Sequence, residues 1–153
     1  MLRQALNDAL KEAMKARDQR ATSTIRMVLA KLKDKDIEAR GAGNQDGIDE
    51  SAVLSVLQGM VKQRRESIEL YKQGNRADLV DQEAAEIAVI ERFLPQQMDE
   101  AQTRAAIGAV IADIGAAGIK DMGRTMAALK ERHAGEMDFQ KASALVKEAL
   151  TAA

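Results

Sequence analysis

The sequence predicts an all-α fold, with an N-terminal four-helix part over residues 1–95 and a small C-terminal three-helix bundle over residues 96–153. Three observations carry that prediction. Aromatic residues fill only 2% of the 153 positions and tryptophan is absent, so the core must be built from Leu, Ile, Val, Met and Ala, which pack helix on helix. Ala, Glu, Lys, Gln and Arg are abundant and proline occurs once; these are good helix formers, while runs of β-branched and aromatic residues are few. Apolar residues also recur at intervals of three and four, the spacing of a helix with one buried face. An apolar share of 46% is enough for a packed core and excludes a wholly disordered chain.

Taken in order, Leu2, Ala5, Leu6, Ala9, Leu10, Ala13 and Met14 form the first stripe, followed by a polar turn around Asp18 to Arg20. The second helix buries Ile25, Val28, Leu29 and Leu32, and its Asp34, Asp36 and Glu38, interleaved with Lys31, Lys33 and Lys35, read as a solvated face. Gly41 to Gly47 (GAGNQDG) reads as a flexible loop. Asp49 opens a long helix carrying Val53, Leu57, Val61, Ile68 and Tyr71, with Gly74 and Asn75 as stop residues. A fourth helix uses Leu79, Ala84, Ile87, Ile90 and Leu94.

Pro95 divides the chain, because proline cannot continue a helix and biases the residue before it toward extended geometry. Asp99 and Gln102 have the spacing of a capping box, with Met98 placed to staple onto the first turn, so residues 95–98 form the hinge. Beyond it, one helix carries Ala106, Ile107, Val110, Ile111 and Ile114 and stops at Gly115. A second segment has Met122, Met126 and Leu129 and stops near Gly135. Asp138 caps a last helix with Phe139, Ala142, Leu145, Val146 and Leu150. Three short helices make a marginal unit by surface-to-volume reasoning.

Several classes of chemistry are absent from the residue inventory. There is no cysteine, hence no disulfide, thiolate metal site or cysteine nucleophile. The single histidine, His133, falls at a helix C-terminus, where an imidazolium would meet the helix dipole favourably. No phosphate-binding or dinucleotide glycine motif follows a strand, and the acidic residues lack the spacing of a metal loop. No cofactor or metal is expected. The first residues lack the apolar stretch of a signal peptide, and the longest apolar run, Ala105 to Ala112, is far below the roughly 20 residues of a bilayer span. These features place the chain in the cytoplasm, away from membranes.

Net charge is −1, from 23 basic and 24 acidic residues, so nucleic acid must be attracted locally if at all. Two clusters are candidates. Residues 117–133 carry Lys120, Arg124, Lys130 and Arg132 against Asp121 and Glu131, beside Gly118 and Gly123, which permit close backbone approach. Cations around a helix start can engage phosphates together with free backbone N–H groups. Ordinary surface charge is the alternative. The secondary cluster, Lys62, Arg64 and Arg65, reads first as a solvated face with ion pairs to Glu66 and Glu69. Stacking platforms are missing, so readout of single-stranded bases is not expected, and neither is DNA.

The stretches STIRMVLAKLKDKDIEAR, VLQGMVKQRRESIELYKQGNRADLVDQEAAEIAVIERFLPQQM and GIKDMGRTMAALKERHAG, with the final LVKEAL, resemble the GatB/YqeY family. The likeness runs from about residue 2 to residue 150 and matches the free-standing YqeY-like branch. In the family's larger members, the B subunits of tRNA-dependent amidotransferases, a region of this kind is a tail on a catalytic cradle and helps recognise tRNA. The resemblance therefore implies a tRNA-binding or tRNA-amidation-associated accessory module, with tRNA and a tRNA-modifying or aminoacylation enzyme as partners. It also implies association with carbon–nitrogen ligase activity using glutamine as amido donor, although the chain has no room for the cradle and no catalytic residue of its own. A protein-interaction module without RNA contact remains a third reading.

Overall fold

A computed structural model describes residues 1–152. Its α-helices are α1 (Leu2–Lys15), α2 (Gln19–Gly41), α3 (Glu50–Gln73), α4 (Ala77–Glu91), α5 (Glu100–Ile114), α6 (Met122–Arg132) and α7 (Phe139–Ala152), with a 3-10 turn at Ile119–Asp121. No strand occurs among the described residues, so the all-α class holds. The chain divides into two compact units, Met1–Pro95 and Gln96–Ala153.

In the first unit, α3 packs chiefly on α4, α1 on α2, and α2 on α4. Leu6, Ile25, Val28, Leu32, Val53, Leu57 and Ile90 are all but removed from water. They supply one apolar face per helix, as the three-and-four spacing requires, and burying each is worth about 1.5–3 kcal/mol. Asp18 caps α2 by accepting from the Ala21 amide at 3.0 Å, and Asp49 caps α3 through the Ala52 amide at 2.8 Å. The α3–α4 turn is made by Asn75, whose φ of 55° is left-handed, while Gly74 stays at −87°. Tyr71, half-buried, stands one turn before that stop.

Asp36 departs from the solvated face expected of its neighbours. It is 9% exposed and lies inside a junction of three segments. Arg3 of α1 grips both of its oxygens, at 2.7 and 2.8 Å, and its Oδ1 also accepts from the Ile48 amide at 2.9 Å. The Arg3 Nη2 that bonds Oδ1 also donates to the Ile48 carbonyl at 3.1 Å. The loop read as flexible is thereby pinned at its far end, helped by an Asn44 side-chain bond to the Gly47 carbonyl at 2.7 Å. The Arg3 hydrogen bond, followed by the Ile48 amide, holds the Asp36 carboxyl below its ordinary value.

The second unit has its own core of Ile107, Val110, Leu129, Met137, Ala142, Val146 and Leu150. The capping box at α5 forms as the spacing requires: Asp99 accepts from the Gln102 amide at 2.7 Å, and Gln102 accepts from the Asp99 amide at 3.0 Å. Gly115 ends α5 at φ 66°. Met98 packs against this core, and the fourth helical residue of α5 is the polar Thr103. Its amide donates to the Glu136 carbonyl at 2.8 Å, and the Gln97 amide group donates to the Gly135 carbonyl at 2.6 Å.

Gly47 has a φ of 80°, and a Cβ there would overlap the Asp36 carboxylate. Gly47→Ala should therefore destabilise the first unit by about 2 kcal/mol in chemical denaturation. Because folding lowers the Asp36 pKa, its contribution is complete above the unfolded value of 3.8 and fades as pH falls through the lower folded one. Acid titration of Asp36→Asn should show a correspondingly flatter loss of stability over that window.

Candidate functional site

The basic residues of the second unit lie on and just before α6. Thr125 and Leu129 point into the core, which turns Lys120, Gly123, Arg124, Ala127 and Lys130 outward; all five are exposed. Glu131 shares that outward face. The four candidate cations are not equivalent. Arg124 donates to the Ile114 carbonyl at 3.1 Å and pairs with Asp121 at 3.2 Å, so it closes the α5–α6 connection. Asp121 is further engaged by the Ala117 amide at 2.8 Å, and that bond, with Arg124 beside it, holds its carboxyl below the ordinary value. Arg132 reaches across to Asp113 of α5 at 2.6 Å. Lys120 and Lys130 make no ion pair among the described residues.

His133 sits at the C-cap of α6, with Nδ1 2.7 Å from a Glu136 carboxylate oxygen. No nucleophile joins that pair, so it forms part of the α6–α7 connection. Among the described residues no group of three or more His, Asp or Glu side chains gathers to hold a metal ion, and no helix is long and apolar enough to cross a membrane.

The secondary cluster separates in the same way, and its partners differ from those expected. Glu69 pairs with Lys72, while Arg64 and Arg65 look across to α4. The side chain of Arg64 is only 12% exposed. Its Nε lies 2.9 Å from Glu86 and 4.0 Å from Glu83, and its Nη1 donates to the Met60 carbonyl at 3.2 Å. Arg65 pairs with Glu91 at 2.8 Å. Arg64 is thus a strut between α3 and α4, and little of it remains to meet a ligand. Burial, reinforced by the neighbouring Glu86, pushes the Glu83 carboxyl above its ordinary value.

A shallow hollow of about 310 Å³ lies at the α3–α4 turn, lined by Lys72, Asn75, Arg76, Ala77, Val80 and Asp81. Its Arg76 is taken up by Asp78 at 3.0 Å, and no acid, base and nucleophile converge there.

The fold defines an all-α protein of two helical units. The family is defined by sequence: residues 3–150 match the model described as Yqey-like protein, and the chain belongs to that family. Curated relatives carry the name "Altered inheritance of mitochondria protein 41, mitochondrial". That of Lachancea thermotolerans is 38% identical over 91 residues, covering 60% of this chain and 46% of the relative. That of Kluyveromyces lactis is 36% identical over 89 residues, covering 58% and 46%. That of Vanderwaltozyma polyspora is 33% identical over 101 residues, covering 61% and 52%. The chain thus matches about half the length of these relatives. Their mitochondrial naming overturns the cytoplasmic placement read from the sequence. The apolar pattern on which that placement rested carries no information that separates one cellular compartment from another.

Removing Arg64 leaves Glu83 and Glu86 facing each other without their cation. Arg64→Ala should cost about 2 kcal/mol at pH 7, read from urea denaturation. Glu83 has the opposite sign to Asp36. Its pKa is raised on folding, so its ionised form opposes folding once pH exceeds the unfolded value. Glu83→Gln should accordingly raise the melting temperature at pH 7 and leave it unchanged near pH 3.

Proposed function

We propose that this protein is a non-catalytic accessory module that contacts the backbone of a folded RNA through its second unit, with tRNA the class implied by the family resemblance. The observation that carries this reading is the outward face of α6 and the turn before it. Lys120 and Lys130 stand there outside any close ion pair, Lys120 acting on Asp121 only at longer range; Gly123 and Ala127 separate them, and a Cβ at Gly123 would meet nothing within 4 Å. A low strip between two exposed lysines suits a sugar–phosphate backbone, which needs close approach and point charges rather than stacking. Arg124 and Arg132 hold their positions through Asp121 and Asp113, which offset their charge, so the two lysines carry the attraction. The family's amidotransferase association enters only as the process in which such contact would be used, because no residue here offers activation or ammonia-transfer chemistry.

Fluorescence anisotropy with labelled tRNA over a salt series tests the reading. Lys120→Ala and Lys130→Ala should each weaken binding and reduce the slope of log K against log salt by roughly one unit per lost contact. Arg65→Ala should leave the slope unchanged. Absence of tRNA binding at low salt, or slopes indifferent to both lysines, would replace this reading with that of a protein-interaction module.

A further inference from the structure

A different surface, in the first unit, carries an inference independent of RNA. Helix α2 buries Ala21, Thr24, Ile25, Val28, Leu32 and Asp36. Arg26, Met27, Ala30, Lys33, Ile37 and Arg40 lie on its exposed side. Arg26, Lys33 and Arg40 are seven residues apart. An α-helix rises about 10.5 Å over seven residues and drifts only about 20° from a strict heptad line, so the three cations form one ridge.

Neither Arg26 nor Lys33 has a carboxylate partner among the described residues, and Arg40 forms no close ion pair but lies near enough to Asp36 to help hold that carboxyl low. Arg26 rests on the Met14 sulfur at 3.8 Å, Arg40 donates to the Gln45 carbonyl at 3.4 Å, and no bond to Lys33 is formed. Alongside the ridge runs a strip of Met27, Ala30 and Ile37, in which Met27 is 40% and Ile37 55% exposed. Asp34 is the polar interruption. Large apolar side chains placed beside regularly spaced, exposed cations are the complement of a helix with an aliphatic seam flanked by acids.

We infer that this face of α2 is a docking surface for an acidic amphipathic helix of a partner protein, with carboxylates at seven-residue spacing beside an aliphatic stripe. The charge pattern selects that occupant. A second copy laid antiparallel would set cation ridge against cation ridge. A parallel copy would offer its other flank, where Lys31 is basic and Glu38 is already held by Lys35 at 2.9 Å. A phosphate backbone would match the cations but leave Met27 and Ile37 against anionic oxygens, and two apolar side chains are too few to seat the helix in a bilayer.

The test uses the full chain and a designed acidic amphipathic peptide, with Leu along one stripe and Glu at every seventh position beside it. A second peptide has the same composition with the Glu spacing broken. The patterned peptide should bind, more weakly as salt rises, and better than its control. Joint replacement Arg26→Glu, Lys33→Glu and Arg40→Glu should weaken it by about tenfold or more, as three exposed ion pairs turned repulsive require. Ile37→Ser should weaken it without changing its salt dependence. Far-UV circular dichroism should show both variants folded, since these side chains are exposed and form no close ion pair; Ile37→Ser keeps the test decisive if the charge reversals, Arg40→Glu beside Asp36 above all, unfold the chain. No binding at low salt, equal binding of the two peptides, or indifference to both variants overturns the inference. So does a charge reversal that abolishes binding to tRNA or phosphatidylserine vesicles while leaving the peptide's affinity intact.

Discussion

The first unit depends on one carboxylate. Asp36 meets the start of α1 through Arg3 and the approach to α3 through the Ile48 amide, while itself belonging to the last turns of α2. Helices α2 and α3 are joined by a loop whose entropy would otherwise leave their relative position loosely set. A charge this far from water needs its lone pairs occupied, and three donors arriving from two segments achieve that only in one arrangement. Gly47 follows as a requirement, because the loop must pass close enough for the Ile48 amide to reach Oδ1.

Arg64 plays the corresponding part between α3 and α4, with an excess of negative charge. One guanidinium faces two glutamates, and only Glu86 is within hydrogen-bond distance. The cluster sets the register of the two helices and carries a modest energetic penalty at Glu83. Specific pairing of polar groups across a helical interface, at some expense in stability, is the behaviour expected where an aliphatic core alone leaves sliding registers close in energy.

The all-α class and the capping box at Asp99 and Gln102 were legible because both are local: helix propensity and a three-residue reciprocal bond need no knowledge of what lies opposite. The burial of Asp36 was not legible, since its partners stand 33 and 12 residues away. The same limit misassigned Arg64, whose nearest acids along the chain are Glu66 and Glu69 but whose partners lie on the next helix. It also ranked the α6 cations as equals. Asp113, 19 residues before Arg132, engages one of them, and only the packing of α5 on α6 reveals it. The basic ridge of α2 was hidden for a related reason. Lysines, arginines and acids alternate along the sequence, and the ridge emerges once Asp36 is removed inward and Glu38 is assigned to Lys35. Periodicity tells which side of a helix is dry; it does not tell which charges on the wet side are already spent.

The near absence of aromatic rings has an optical consequence. With no tryptophan, Tyr71 is the only residue of the chain with useful near-ultraviolet emission, and it belongs to the first unit. Its emission reports on the α3–α4 helix pair alone, whereas the far-ultraviolet signal sums every helix. Melting curves recorded by the two methods on the same sample therefore see different portions of the molecule. Any gap between their midpoints measures directly how far the two units unfold independently, with no label or truncation needed.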